Sequence, residues 1–305
     1  MLELFAIVLP VFGLIGIGYV ARQTGFISER AGEGLSEFVF TLSLPCLIFR
    51  TLVRAEIPDV QPWGYWISYF VGVAVVWLLA TVIGQRFFGI KGISAVVAGF
   101  SAGQANTVFV GVPMILKAYG DEGAVPLFLL IAVHLPVTMT LATILAEGRQ
   151  ASPVIVLRRL FTHPIVVGIL AGSACRPIAA HVPAPAWQVM DLLASAAVPC
   201  ALISMGIALR RYGLQTGWKL PTVISFLKLV LHPLIVLLLA TRVFNMPPVW
   251  AGVAVLFASC PSGINAYLFA ERYGEGVALA SSAITLSTFL ALGTTLVWLY
   301  VLGVG

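Results

Sequence analysis

The sequence predicts an all-α integral membrane protein of ten transmembrane helices, arranged as two inverted five-helix repeats whose fourth and ninth helices are discontinuous and crossed. Three observations predict it. Hydrophobic residues make up 60% of the 305 and charged ones only 10%, with a mean hydropathy of +1.04, far from the balance of a soluble domain. Apolar runs of about 20 residues recur along the whole chain, each long enough to cross roughly 30 Å of hydrocarbon. Two of these runs are interrupted by stretches rich in Gly, Pro and Ser, SAGQANTVFVGVP at 101–113 and SCPSGIN at 259–265. A lipid-facing helix must hide its backbone polar groups, so interruptions at membrane depth point to groups that line a cavity.

The first span, 2–21, follows Met1-Leu-Glu-Leu-Phe, which lacks the basic start of a secretory signal and is expected to be retained. The spans 34–53 and 63–84 come next, then the broken span 93–118, and 124–146 closes the first repeat, residues 1–146. A short cytoplasmic link, EGRQASP at 147–153, leaves no room for a central domain. The second repeat, 154–305, holds spans 154–175, 187–209, 217–241, the broken 248–271 and 276–302. An offset of 154 residues matches Pro10 with Pro164, Gly18 with Gly172, Pro45-Cys46 with Pro199-Cys200, and Tyr119-Gly120 with Tyr273-Gly274. Five spans per repeat make the second half enter the membrane upside down, a recurrent plan of secondary transporters with the site at the repeat interface.

Charge placement orients the chain. With the N-terminus outside, the inner loops hold Arg22, Arg30, Arg86, Lys91, Arg149, Arg158, Arg159, Arg210, Arg211, Lys219 and Arg272, against Arg50, Arg54, Lys117, Arg176 and Arg242 outside. The positive-inside rule then puts both termini outside the cytoplasm, in a multi-pass protein of the inner cell membrane. The net charge of +5 thus reports topology, and no nucleic-acid partner is expected. Four cysteines without CxxC or His/Cys spacing suggest neither a disulfide framework nor a zinc site. HExxH, GxSxG and Walker sequences are absent, as are paired carboxylates for a metal, so no enzyme, resident metal or cofactor is expected.

In the first broken span Gly103, Gly111 and Pro113 bracket Gln104, Asn106 and Thr107, and an interruption is expected near 105–112. In the second, Pro261 and Gly263 do the same around Ser262 and Asn265. Half-helix N–H groups aimed into the cavity would favour an anion, with the Asn and Thr side chains beside them. The alternative is that each asparagine satisfies backbone opened by a proline kink; the symmetric pair favours a binding site.

Glu37 and Asp191 occupy equivalent places near the start of the second span of each half. A carboxylate in a span is a functional candidate, but helix-end anchoring is the preferred reading so near the interface. Lys228, midway through the eighth span, has His232 one turn on, and its ammonium needs a partner: Asp191, a bound anion or His232. Substrate or proton coupling and a structural ion pair stand level there. His134, before Pro136, is a further titratable candidate, with a satisfied core histidine preferred. Ser281, Ser282, Thr285 and Ser287 read as close helix packing, with a place on the cavity wall as the alternative for some of them.

Pro45-Cys46-Leu47-Ile48-Phe49, Asn106-Thr107 with Gly111-Val112-Pro113, and Pro261-Ser262-Gly263-Ile264-Asn265-Ala266-Tyr267 before Arg272-Tyr273-Gly274 together resemble the auxin efflux carrier family in its short bacterial form. The resemblance implies a fold related to bile acid:sodium symporters, with a scaffold of helices 1, 2, 6 and 7 and a transport domain of helices 3–5 and 8–10. It implies crossover asparagines that bind a substrate carboxylate, a role falling here on Asn106 and Asn265, and elevator-type movement of small organic anions. Such cargo includes auxin in plants and dicarboxylates such as malonate or malate in bacteria, and a homodimer would form through the scaffold. The long hydrophilic central loop of plant carriers is missing, and no acidic sodium cage flanks the crossing, so the coupling ion, proton or sodium, stays open. The expected function is a carrier or exporter of organic anions, with sodium-coupled uptake of amphipathic acids, or a non-transporting receptor or enzyme, as alternatives.

Overall fold

The structure, a computed structural model, describes residues 2–54, 63–148 and 164–304. Most of the 147–153 link and the first half of the sixth span lie outside the described residues. The described chain is helical, with a single isolated β-bridge and no named strand. In order the helices are α1 (Leu2–Gln23), α2 (Glu29–Arg54), α3 (Trp63–Phe88), α4 (Gly92–Gly103), α5 (Val112–Tyr119), α6 (Ala124–Glu147), α7 (Pro164–Ala174), α8 (Ala184–Tyr212), α9 (Lys219–Val243), α10 (Pro248–Ser259), α11 (Ile264–Tyr273) and α12 (Val277–Val301). Among the described residues, seven helical segments are long and apolar enough to cross a membrane, with Thr107–Glu147 counted as one run; α4, α7 and α10 are shorter apolar helices. Exposed Leu9, Ile17, Leu78, Val189, Leu192 and Phe289 give the outer faces the pattern expected of lipid-facing walls.

Proline shapes these helices in a repeated way. Turns of i→i+5 hydrogen bonding occupy Val39–Ser43, Thr107–Gly111 and Leu227–Leu231, and each is followed by one residue and then a proline: Leu44-Pro45, Val112-Pro113 and His232-Pro233. Proline has no N–H and its ring collides with the carbonyl four residues back, so a wider turn at that point relieves the clash without ending the helix. Gly111 and Pro113 therefore do not form the interruption expected at 105–112. They belong to a helical turn that has already restarted, and the break itself is narrower, at 104–106.

Glycine sets the closest packing. α1 lies along α8, where a Cβ on Gly18 would overlap the carbonyl of Ile203 and one on Gly206 would lie 2.7 Å from the Tyr19 nitrogen. α2 lies along α7, where a Cβ on Gly172 would come 3.0 Å from the Phe49 carbonyl oxygen. Gly18 and Gly172 are 154 residues apart, as are Phe49 and Ile203, so the same contact occurs twice with its partners exchanged. α8 also packs on α2, while α3 packs on α4 and α9, and α9 on α10 and α12. Buried polar tips find backbone partners: the Tyr65 hydroxyl donates to the Pro126 carbonyl at 2.7 Å and the Trp298 indole N–H to that of Leu229 at 2.8 Å.

Candidate functional site

α4 stops at Gly103 and α10 at Ser259, and the chain resumes helical form at Thr107 and Ile264. The two extended gaps meet. Ala105 and Ser262 form an antiparallel bridge, in which the Asn106 N–H donates to the Pro261 carbonyl at 2.8 Å and the Gly263 N–H to the Gln104 carbonyl at 3.0 Å. Three further bonds hold the pair from outside. The Ser262 hydroxyl donates to the Ser101 carbonyl at 2.7 Å, the Ser287 hydroxyl accepts the Ser262 N–H at 3.0 Å, and His134 Nε2 accepts the Ala105 N–H at 3.2 Å. Gly263 is required by close approach, since a Cβ there would overlap Gln104 Oε1 and lie 2.7 Å from the Ala105 carbonyl oxygen.

This pairing corrects one expectation. Half-helix N–H groups were expected to point into a cavity, but those of the gaps are spent: Asn106 and Gly263 within the bridge, Thr107 on the Ala105 carbonyl at 2.9 Å and Ser262 on the Ser287 hydroxyl. Two extended strands that cross in a buried place must satisfy each other's backbone, because nothing else is there to do so. The donors left over belong to the first helical turns beyond the gaps, Val108 and Phe109 on one side and Ile264 and Asn265 on the other, where a helix supplies no acceptor of its own. Side chains add to them. Asn106 is 3% exposed and its amide reaches only the Met205 sulfur on α8, a weak acceptor, at 3.3 Å. Its Oδ1, the Thr107 hydroxyl and the half-buried Asn265 side chain have no hydrogen bond among the described residues, and Gln104 Oε1 is buried without a partner. Donors and acceptors from both half-helices thus stand open beside two helix N-termini, an arrangement suited to a small anion.

Behind the crossing lies a basic cluster. Lys228, His232 and His134 are fully buried. Lys228 Nζ donates to the Ala258 carbonyl and lies 3.4 Å from His232 Nδ1. The Tyr69 hydroxyl lies 3.0 Å from His134 Nδ1, and Tyr69 packs against both imidazoles. Because His134 Nε2 accepts from Ala105, a neutral ring carries its proton on Nδ1 and gives it to Tyr69. His134 thereby fixes the first strand of the crossing.

The two carboxylates part company. Asp191 on α8 pairs with Arg50 at 3.2 Å and Arg54 at 3.8 Å on α2, so it is not the partner of Lys228: the guanidinium groups hold it at the helix end. Glu37 is exposed, with no ion pair among the described residues. Sequence reasoning missed Ser101 and Met205, and gave Ser287 to packing or the cavity and not to the backbone, although small hydroxyls in the helices flanking a broken span are the signal for partners of its freed backbone.

A family model described as membrane transport protein matches residues 4–155 and 150–299. A Rhizobium meliloti protein named "Putative malonate transporter" is 30% identical, with 100% of this chain and 98% of that one covered. An uncharacterized transporter of Methanothermobacter thermautotrophicus is 28% identical over 97% of each chain. Auxin efflux carrier component 8 of Arabidopsis thaliana is 21% identical over 96% of this chain and 95% of its own.

Proposed function

Because the chain belongs to the membrane transport protein family, the family of the auxin efflux carriers, and is a multi-pass membrane protein, we propose that it is a secondary carrier of small carboxylates with its site at the crossing. The observation that carries this reading is that two broken helices satisfy each other's backbone at the gap yet leave Asn106, Thr107 and Asn265 open. Asn106 and Asn265 bind the carboxylate, with Thr107, Gln104, Ser262 and Gly263 around them. A short dicarboxylate such as malonate is the cargo, in keeping with the name of the Rhizobium meliloti relative.

In this reading the ten spans form two inverted repeats, 1–146 and 154–305, joined by the link at 147–153. The exchanged contacts of Gly18 with Ile203 and Gly172 with Phe49 support it, since a two-fold axis in the membrane plane produces such a swap. α1, α2, α7 and α8 are the scaffold, which also forms a homodimer, and α3–α6 with α9–α12 are the body that moves the site across in an elevator motion. The chain sits in the inner cell membrane with both termini outside. Ion pairs that join Arg22 and Arg211 to Glu29, far along α2 from Arg50 and Arg54 at its other end, agree with that orientation. A negative interior drives export of an anion by about 2.3 kcal/mol per charge per 100 mV.

Counterflow of radiolabelled malonate in proteoliposomes tests the site. Each asparagine removed takes away a hydrogen bond to a charged group, worth about 1.5–3 kcal/mol, so Asn106→Ala and Asn265→Ala are each expected to weaken apparent affinity roughly ten- to hundredfold. A double variant that folds and transports as the parent does would overturn the assignment. Flux that requires a sodium gradient would favour sodium-coupled uptake instead.

A further inference from the structure

Lys228 is a full cation-forming side chain with no exposure, and among the described residues no carboxylate pairs with it. Its hydrogen-bond arithmetic is informative. A neutral amine has two N–H donors, and two acceptors stand in reach, the Ala258 carbonyl and His232 Nδ1. An ammonium would have a third N–H with no acceptor and a charge with no counter-charge, at a depth where both are costly. With Nδ1 facing Lys228, the neutral His232 ring carries its proton on Nε2, which is buried against Gly72 of α3 beside the backbone of Tyr69. The amine's own donors are matched when it is neutral, and one is left over when it is an ammonium.

Among the described residues, the surroundings offer nothing else to balance that proton. α3 brings Tyr69, α6 brings His134, whose ring nitrogens are both engaged, and the end of α10 brings Cys260. α4 carries no titratable side chain, and α12 carries only Tyr300, exposed at its far end. The nearest route to a negative charge is the crossing itself. Lys228 holds the carbonyl of Ala258, two residues before the Cys260–Gly263 gap, and Cys260 Sγ lies 3.2 Å from where a Gly111 Cβ would stand, on the turn that follows Asn106.

We infer that Lys228, with His232, is the proton-coupling site of this carrier: an anion seated at the crossing supplies the missing counter-charge, and the amine takes up one proton with it. The inference rests on the crossing being the anion site. The balance is simple. The Lys228 amine gains a proton from water on the side where the anion enters, becoming an ammonium, and returns it on the side where the anion leaves. The moving body then carries one charge less per anion than it would alone, which eases the passage of the site through the bilayer. Lys228 is a positioning and coupling residue and does not touch the cargo.

The test uses purified protein in liposomes that enclose a pH-sensitive dye, with an imposed malonate gradient and the leak of protein-free vesicles subtracted. Parent protein is expected to move about one proton with each malonate, whereas Lys228→Gln and His232→Gln keep malonate counterflow within about threefold of the parent while proton movement falls roughly tenfold or more. Malonate counterflow without proton movement in the parent overturns the coupling and leaves the anion site standing. Proton movement retained in both variants overturns it equally. No counterflow in the parent defeats the carrier reading and this inference with it. Should Lys228→Gln fail to fold, the parent's proton-to-malonate ratio and the His232→Gln variant decide the matter.

Discussion

Gly263→Ala places the smallest possible wedge in the crossing. The new Cβ would lie 2.7 Å from the Ala105 carbonyl oxygen, and ordinary contact begins at 3.4 Å, so the strands must part by about 0.7 Å. Gln104 Oε1 can swing aside, being the end of a flexible side chain; the backbone oxygen cannot. The Gly263 N–H to Gln104 bond, now 3.0 Å, would be pushed beyond hydrogen-bond range, and the Asn106 N–H to Pro261 bond at 2.8 Å would lengthen with it. Two buried backbone bonds weakened at about 1 kcal/mol each give roughly 1–3 kcal/mol. The same parting moves Asn265 away from Asn106, so the loss should appear in affinity as well as in stability, roughly tenfold or more in the malonate concentration for half-maximal counterflow. Gly293→Ala is the control: nothing lies within 4 Å of its Cβ, and alanine there should be neutral or stabilise α12 by about 0.5–1 kcal/mol. Thermal unfolding in detergent and counterflow, run on both variants, settle it. A Gly263→Ala protein with the parent's unfolding temperature and the parent's affinity would refute the crossing as the site.

Other positions give separable results. Gly206→Ala would drive a methyl group into the backbone of α1 at Ile15 and Tyr19, and a loss of about 1–3 kcal/mol in unfolding is expected, whereas Gly13→Ala on α1, with open space around it, should cost nothing, as at Gly293. Glu271→Gln removes the ion pair at 3.5 Å from Arg211, which ties α11 to α8 while Glu29 and Glu33 hold Arg211 to α2. The charges are nearly half exposed, so stability should change by less than about 1 kcal/mol, yet if that tie holds one end state of the motion, counterflow should quicken up to roughly fivefold. An unchanged rate would show that Arg211 serves only the scaffold side. Tyr69→Phe removes the hydroxyl beside His134 Nδ1, and a modest weakening of about 1 kcal/mol in unfolding is expected, with no greater loss in proton coupling than in stability. A selective loss of coupling would extend the proton path to Tyr69.

Much of the molecule was readable from residue order alone. Membrane composition, helical class and the two interruptions follow from hydropathy, run length and the placement of Gly, Pro and Asn, because lipid allows so few ways to satisfy a backbone, while the family came from the resemblance of three motifs. Harder to read was what each break would do. Pro113 looks like a helix breaker on paper, yet a widened turn absorbs it, as happens before Pro45 and Pro233. Asp191 and Lys228 look like partners in a list of charges, but folding gives Asp191 to Arg50 and Arg54 and leaves Lys228 with a carbonyl and an imidazole.

Chain order by itself determined that the chain is a series of apolar helices, that two of them fail, and that the failures carry asparagine. Tertiary structure alone decided which freed groups stay free: the bridge between Ala105 and Ser262 joins residues more than 150 positions apart and uses up the amides of Asn106 and Gly263. The physical reason is that a hydrogen bond is an exclusive contract between two groups. Which of several candidates a donor meets depends on distances that only packing creates.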